Sequence, residues 1–309
     1  MQLNRPDHVV GEPNKLPWKD RETYYEVQTA LKLPWFYVPV MDHSSGIAEV
    51  FVSPKTSTGQ GPLGKSIQAT SELLLTKCRI EFVAQNTNYN YDSWSLALSH
   101  SYDPGKKINM TTGFFCADDK LNPASIIEHL KESKTLVIHP MLLPAIMFQK
   151  LLKSSVTHRD KLRKDIQRME EKLRYVKGRK DHKPDNPTAE IDAESEEKLY
   201  DPSYLRYLSK ALNTCKKQQA SRDGRQKFWR QFREVILTAI DNLELRLSSD
   251  NDAKMLKASL ELKHWTSGNG RIFESLEGRD INYRARIETQ LNVVGRSLLP
   301  AIDTLLITD

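Results

Sequence analysis

Cysteine is scarce in this chain. Cys78, Cys116 and Cys215 are the only three among 309 residues, far apart and in no C-x-x-C pair. So small and scattered a set supplies neither a disulfide framework nor a thiolate zinc site, and the thiols are expected to be reduced and mostly buried. Long apolar runs are lacking too. Residues 135–148 (TLVIHPMLLPAIMF) are interrupted by His139, Pro140 and Pro144, and fall short of the roughly 20 apolar residues that a helical span needs. Residues 291–308 carry Arg296, Pro300 and Asp303, and a charge at mid-membrane costs about 2.5–3.5 kcal/mol on insertion scales. Neither stretch is expected to cross a bilayer. The opening MQLNRPDHVVGEPNK puts charges and prolines where a signal peptide needs an apolar core. Secretion is therefore not expected, and the sequon at Asn109 carries no meaning. These absences together predict a soluble, cytoplasmic chain without membrane insertion.

What is present is enough to fold: 39% of the residues are hydrophobic and 28% charged, with only 13 Gly and 15 Pro. That composition predicts a helix-rich globular protein of one large or two ordinary domains. The net charge of +6 and a pI near 9.0 make the surface mildly cationic. Peripheral contact with an anionic membrane surface is compatible with this balance, whereas nucleic acid is not the expected partner.

The pattern up to about residue 149 is short and mixed. A short helix is predicted over 24–31 and strands over 35–40, 48–52, 79–84, 94–99 and 110–116. A helix should begin near Pro123, capped by Asn122, with Ile126, Ile127 and Leu130 on one side. Residues 135–138 read as a buried strand, followed by a turn and a helix with Pro144 near its start. Beyond that the period changes. Leu162, Ile166, Met169, Leu173 and Val176 follow the 4-3-4-3 spacing of a coiled-coil seam. Residues 181–201 (DHKPDNPTAEIDAESEEKLYD) lack apolar periodicity and read as an acidic connector. Helical spacing resumes at Leu205, is expected to pause at Arg222-Asp223-Gly224 and returns at Phe228. After a break at 248–252, two more helices are expected, over 255–265 and, past Gly268 and Gly270, over 272–294. The predicted fold class is α+β, helix-rich overall. Its parts are a mixed α/β domain over 1–143, a long basic helix over 144–180, an acidic linker over 181–203 and a helical bundle or stalk over 204–309.

Charge is segregated in the second part of the chain. Residues 150–180 hold 12 Lys/Arg against 4 Asp/Glu, residues 181–201 hold 2 against 8, and residues 206–233 hold 9 against 1. Either the two basic stretches form a surface for phosphates, or basic and acidic segments compensate one another on solvated faces.

Residues 59–66, GQGPLGKS, match the G-x-x-x-x-G-K-[ST] pattern of a phosphate-binding loop. Such a loop needs a strand running straight into its first glycine, a helix leaving it, and an acidic residue on a neighbouring strand for magnesium. Here six polar or proline residues separate Val52 from Gly59, and Lys65 is not expected to bind nucleotide. The eight histidines form no metal-binding pattern. Ser99-His100 is no nucleophile–base pair, because adjacent strand residues point to opposite faces. His139 reads as a hydrogen-bonded core or turn histidine. No catalytic, cofactor-binding or metal-ligating residue and no cofactor is therefore predicted.

The order LKLPWFYVPV (31–40), WSLALSHSYDPGKKINMTTGFF (94–115), HPMLLPAIMFQKLL (139–152) and then heptad-spaced helices resembles the CorA-like proteins of filamentous fungi. The resemblance implies an α/β domain ahead of long stalk helices and, beyond them, two membrane helices, in distant relatives of magnesium and zinc channels. The Gly-Met-Asn signature of the channel mouth is absent from these 309 residues, so a conducting pore is not expected. What remains is a non-catalytic accessory protein that self-associates or binds a protein partner. The alternatives are a polyanion-binding module and, behind it, a nucleotide-binding enzyme acting through Lys65.

Overall fold

The computed structural model describes residues 21–34, 37, 46–54, 78–86, 93–103, 108–117, 121–177, 202–247 and 252–307. The elements in order are α1 (Arg21–Leu31), β1 (Ile47–Pro54), β2 (Cys78–Asn86), β3 (Trp94–Asp103), β4 (Ile108–Ala117), α2 (Pro123–Glu132), α3 (Leu142–Lys177), α4 (Pro202–Glu244) and α5 (Ala253–Ile307). The fold is α+β and helix-rich. The expected strand at 35–40, the loop at 59–66 with Lys65 and the acidic connector all lie outside the described residues, Tyr37 excepted. No helix among the described residues is long and apolar enough to cross a membrane.

Contacts divide the chain into two compact units, each discontinuous in sequence. One holds Met1–Leu151 and Lys227–Arg271, the other Leu152–Gln226 and Ile272–Asp309.

The first unit is built on a sheet in which each strand pairs antiparallel with the next, in the order β1-β2-β3-β4. Side chains alternate between its faces. Phe82, Trp94, Leu96, Leu98 and His100 share one face and are buried. Phe232 of α4 is the hub there, with its ring 5.5 Å from Trp94, 6.1 Å from Phe82 and 5.9 Å from Phe148 of α3. Aromatic contacts of this kind add about 0.5–1.5 kcal/mol each beyond the area that they bury. On the opposite face Leu33, Tyr37, Val83 and Ala97 form a second core, with Val27 and Leu31 of α1 packed against it. The Thr112 hydroxyl donates to the Leu31 carbonyl at 2.6 Å and so ties α1 to β4. Helix α1 ends with Lys32 in the left-handed region at φ 50°. The Leu33 N–H bonds back to the Gln28 carbonyl and the Lys32 N–H to that of Thr29, the double closure of a Schellman cap.

The second unit is a packing of helix seams. Leu162 and Ile166 of α3 meet Cys215 of α4 and Tyr283 and Ile287 of α5. Further along, Met169 and Leu173 meet Leu205, Leu208, Leu212 and Val294. Each fully buried aliphatic side chain contributes about 1.5–3 kcal/mol.

Three expectations need correction. Residues 133–138 form successive turns, not a strand, with N–H groups of Leu136, His139 and Leu142 bonded to the carbonyls of Ser133, Leu136 and His139. Only Leu136 of the run is buried, while Val137 and Ile138 face outward, so the β-branched composition misleads. Helix α4 runs for 43 residues without a pause at Gly224. Helix α5 runs for 55 residues through Gly268 and Gly270, where two helices were expected.

Candidate partner-binding surface

Helix α2 starts where its sequence says it should: Asn122 Oδ1 accepts the Ala124 N–H at 3.0 Å, and Pro123 needs no such partner. This fixes Ile127, Leu130 and Lys131 on the outer side of the helix. The turns that follow bring Lys134 and Val137 alongside, and these five residues line a recess of about 310 Å³. Ile127 is 52% exposed and Val137 60%.

A cleft of about 260 Å³ adjoins the recess and shares Leu130 and Val137 with it. Its other wall is Thr111, Thr112, Gly113, Phe114 and Phe115 of β4, and His139, Pro140, Leu142 and Leu143 continue the lining. Leu96 and Leu98 of β3 line it as well, and with Thr111, Gly113 and Phe115 they share one face of the sheet, so the cleft lies over that face on the β4 side. β4 is the last strand of the sheet, and among the described residues no strand pairs with its outer side. The glycine at 113 is dictated from within: a Cβ there would lie 2.4 Å from Leu98 Cδ2 and 3.0 Å from the Ala97 carbonyl.

His139 is held in one state by its neighbours. Its Nδ1 accepts the Met141 N–H at 3.1 Å, so the proton sits on Nε2 and is donated to Ser259 Oγ at 3.1 Å. The acceptor role satisfies one of the unpartnered N–H groups at the start of α3. Burial, with a smaller contribution from nearby His100, pushes its pKa down to about 3. His100 lies on the same sheet face as Leu98, bonded through Nδ1 to Thr111 Oγ1 at 3.0 Å, and burial lowers its pKa to about 4. Both imidazoles are neutral at physiological pH. Ser99, on the opposite face, accepts from Arg79 Nε at 2.9 Å, so the structure separates Ser99 from His100. The charged groups lining recess and cleft are Lys131 and Lys134, with no acidic residue in the lining.

In the second unit, sequence reasoning missed a buried polar cluster. Arg159 grips Asp280 with two hydrogen bonds of 2.8 and 2.5 Å, and Gln226 donates to the same carboxylate at 3.0 Å. Arg222 stands 3.8 Å away. All three charged residues are buried. Arg206, Lys210, Lys216 and Lys217 of α4 are exposed, and no acidic residue occurs between 203 and 222. On α3, by contrast, Asp160 and Asp165 sit within 3.9 and 3.6 Å of Arg163 and Arg168. Cys215 is buried and its thiol is pushed up in pKa by desolvation and by Asp165. Among the described residues no group of three or more His, Cys, Asp or Glu is arranged to hold a metal ion.

No protein-family model, no curated protein and no solved structure matches this chain.

Proposed function

We propose that this chain is a non-catalytic binding protein, acting by self-association or by docking a protein partner in an accessory role, and that it resembles the cytosolic part of CorA-like transporters. The observation that carries the binding reading is the exposed apolar surface around Ile127, Leu130 and Val137, continuous with a cleft that β4 residues help to line. Exposed, contiguous apolar surface costs solubility and is retained where something covers it. The chemistry of the lining suits contact, since it offers aliphatic groups, two cations and an imidazole already committed to Met141 and Ser259. The element order, a sheet followed by helices of 36, 43 and 55 residues, is the order that the resemblance implies.

Replacing Ile127 and Val137 together by Lys tests this reading. Sedimentation velocity and native co-purification from the producing cells should show the wild type associated with a second copy or another protein. The double variant should behave as a lone chain with unchanged melting. Equal assembly of the two proteins, or none in either, would overturn the reading.

A second reading, an anion-binding module, is favoured by the acid-free stretch 203–222 of α4, with its exposed Arg206, Lys210, Lys216 and Lys217. It predicts salt-sensitive binding to phosphatidylserine vesicles that is lost in Lys210→Glu/Lys217→Glu.

A further inference from the structure

We infer, resting on the binding reading above, that the occupant of the recess is an acidic amphipathic helix of a different protein, which seats apolar side chains on Ile127, Leu130 and Val137 and sets carboxylates against Lys131 and Lys134. The form of the occupant follows from the wall. Its side chains are three aliphatic groups and two lysines, with no hydroxyl, amide or carboxylate among them. An extended segment laid on such a wall would press its own N–H and C=O groups against hydrocarbon, and each polar group buried without a partner costs about 1–3 kcal/mol. A helix has already paired those groups internally and presents side chains alone.

The spacing of the wall residues gives the same answer. Ile127, Leu130 and Lys131 stand at i, i+3 and i+4 on one face of α2, and Lys134 and Val137 extend that face past the helix end at Ser133. Such a stripe is matched by apolar side chains at the same spacing on a second helix, packed ridge into groove.

Charge names the partner. At the helical period Lys131 lies about 40° round α2 from Ile127, while Glu128 and Glu132 lie about 100° and 140° away. The cations, not the acids, border the recess. Both lysines are exposed, and a carboxylate one turn from a seated apolar side chain answers them. The chain as a whole carries a net charge of +6, which repels a second copy at long range and draws in an acidic protein. A different protein is favoured over self-pairing at this recess.

The test uses the full chain and three fluorescein-labelled peptides of about 18 residues, long enough for a helix to form. Two share leucines at i, i+3, i+4 and i+7 and carry either glutamate or lysine at the flanking positions; the third is the glutamate peptide with prolines at its centre. Anisotropy should show the glutamate peptide binding at least about tenfold tighter than either of the others. Lys131→Glu/Lys134→Glu, two changes at exposed positions, should reverse the preference between the glutamate and lysine peptides. Equal affinity for those two, undiminished binding of the proline peptide, or no binding of the glutamate peptide would overturn the inference. So would a wild-type homodimer that Lys131→Glu/Lys134→Glu splits, since the occupant would then be a second copy. If the peptides fail while Ile127→Lys/Val137→Lys still disrupts assembly, the helix mode is wrong and the binding surface stands. If that variant also assembles normally, both readings fall.

Discussion

Asp280 is the residue whose loss should hurt the protein most per atom changed. Its carboxylate answers Arg159 directly and lies near Arg222, all of them buried, and removing one side of a buried pair leaves charge without compensation. Asp280→Asn should lower unfolding free energy by about 3–5 kcal/mol in chemical denaturation, whereas Asp160→Asn at the exposed Arg163 pair should change it by less than about 1 kcal/mol. Similar losses for both would show that the buried cluster has no special role. The cluster left a trace in the sequence. Asp280 falls in line with Leu276, Tyr283 and Ile287, and Arg159 with Leu162 and Ile166, so opposite charges stand on two apolar seams. The apolar spacing located the seams; which helices would meet, and hence which charge would answer which, depends on tertiary packing that spacing does not encode. The two buried histidines make a second prediction. Their folded pKa values, about 4 for His100 and 3 for His139, lie below the ordinary 6.5. The unfolded chain therefore takes up protons that the folded one refuses, and their contribution is full above about pH 6.5 and is lost as pH falls toward 4 and 3. The slope reaches about 1.4 kcal/mol per pH unit for each histidine. His100→Gln/His139→Gln should flatten the dependence of stability on pH between 6.5 and 4; an unchanged slope would contradict the assignment.

Elements were legible where local chemistry decides them. The Asn122-Pro123 start of α2, the strands β2 and β3 and the seam of α3 from Leu162 to Leu173 appear as expected. They were illegible where packing overrides local preference. Glycine inside a helix is unfavourable by about 0.5–1 kcal/mol relative to alanine, which is why 224, 268 and 270 read as breaks, yet α4 and α5 bury apolar residues on both sides of each and the packing outweighs so small a penalty. Residues 135–138 failed for the opposite reason, since β-branched side chains promise a strand only if a neighbouring strand or core takes them. Gly224 and Gly113 separate the two situations. Gly224 has no atom within 4 Å of an added Cβ, while at Gly113 that atom meets Leu98 and the Ala97 carbonyl. Gly224→Ala should raise stability by about 0.5–1 kcal/mol, and Gly113→Ala should lower it by about 1–3 kcal/mol, both read from denaturation midpoints. A gain at both positions would mean that β4 yields more easily than its contacts imply.

At the scale of the whole molecule, the candidate surface was almost invisible beforehand. Its parts come from β4, α2, the turns after it and the start of α3, separated in sequence and brought together only by the fold. Residues 135–138 were assigned to the interior as a strand, and that error hid the exposure of Val137, the side chain shared by recess and cleft. The most direct measurement of the central claim places a photo-cross-linking amino acid at position 137, with a control at Tyr25, an exposed position on α1, and irradiates the protein in the cells that produce it. The account predicts a covalent adduct to a second polypeptide from position 137 and none from position 25. No adduct from 137, or adducts of equal yield from both positions, would contradict it.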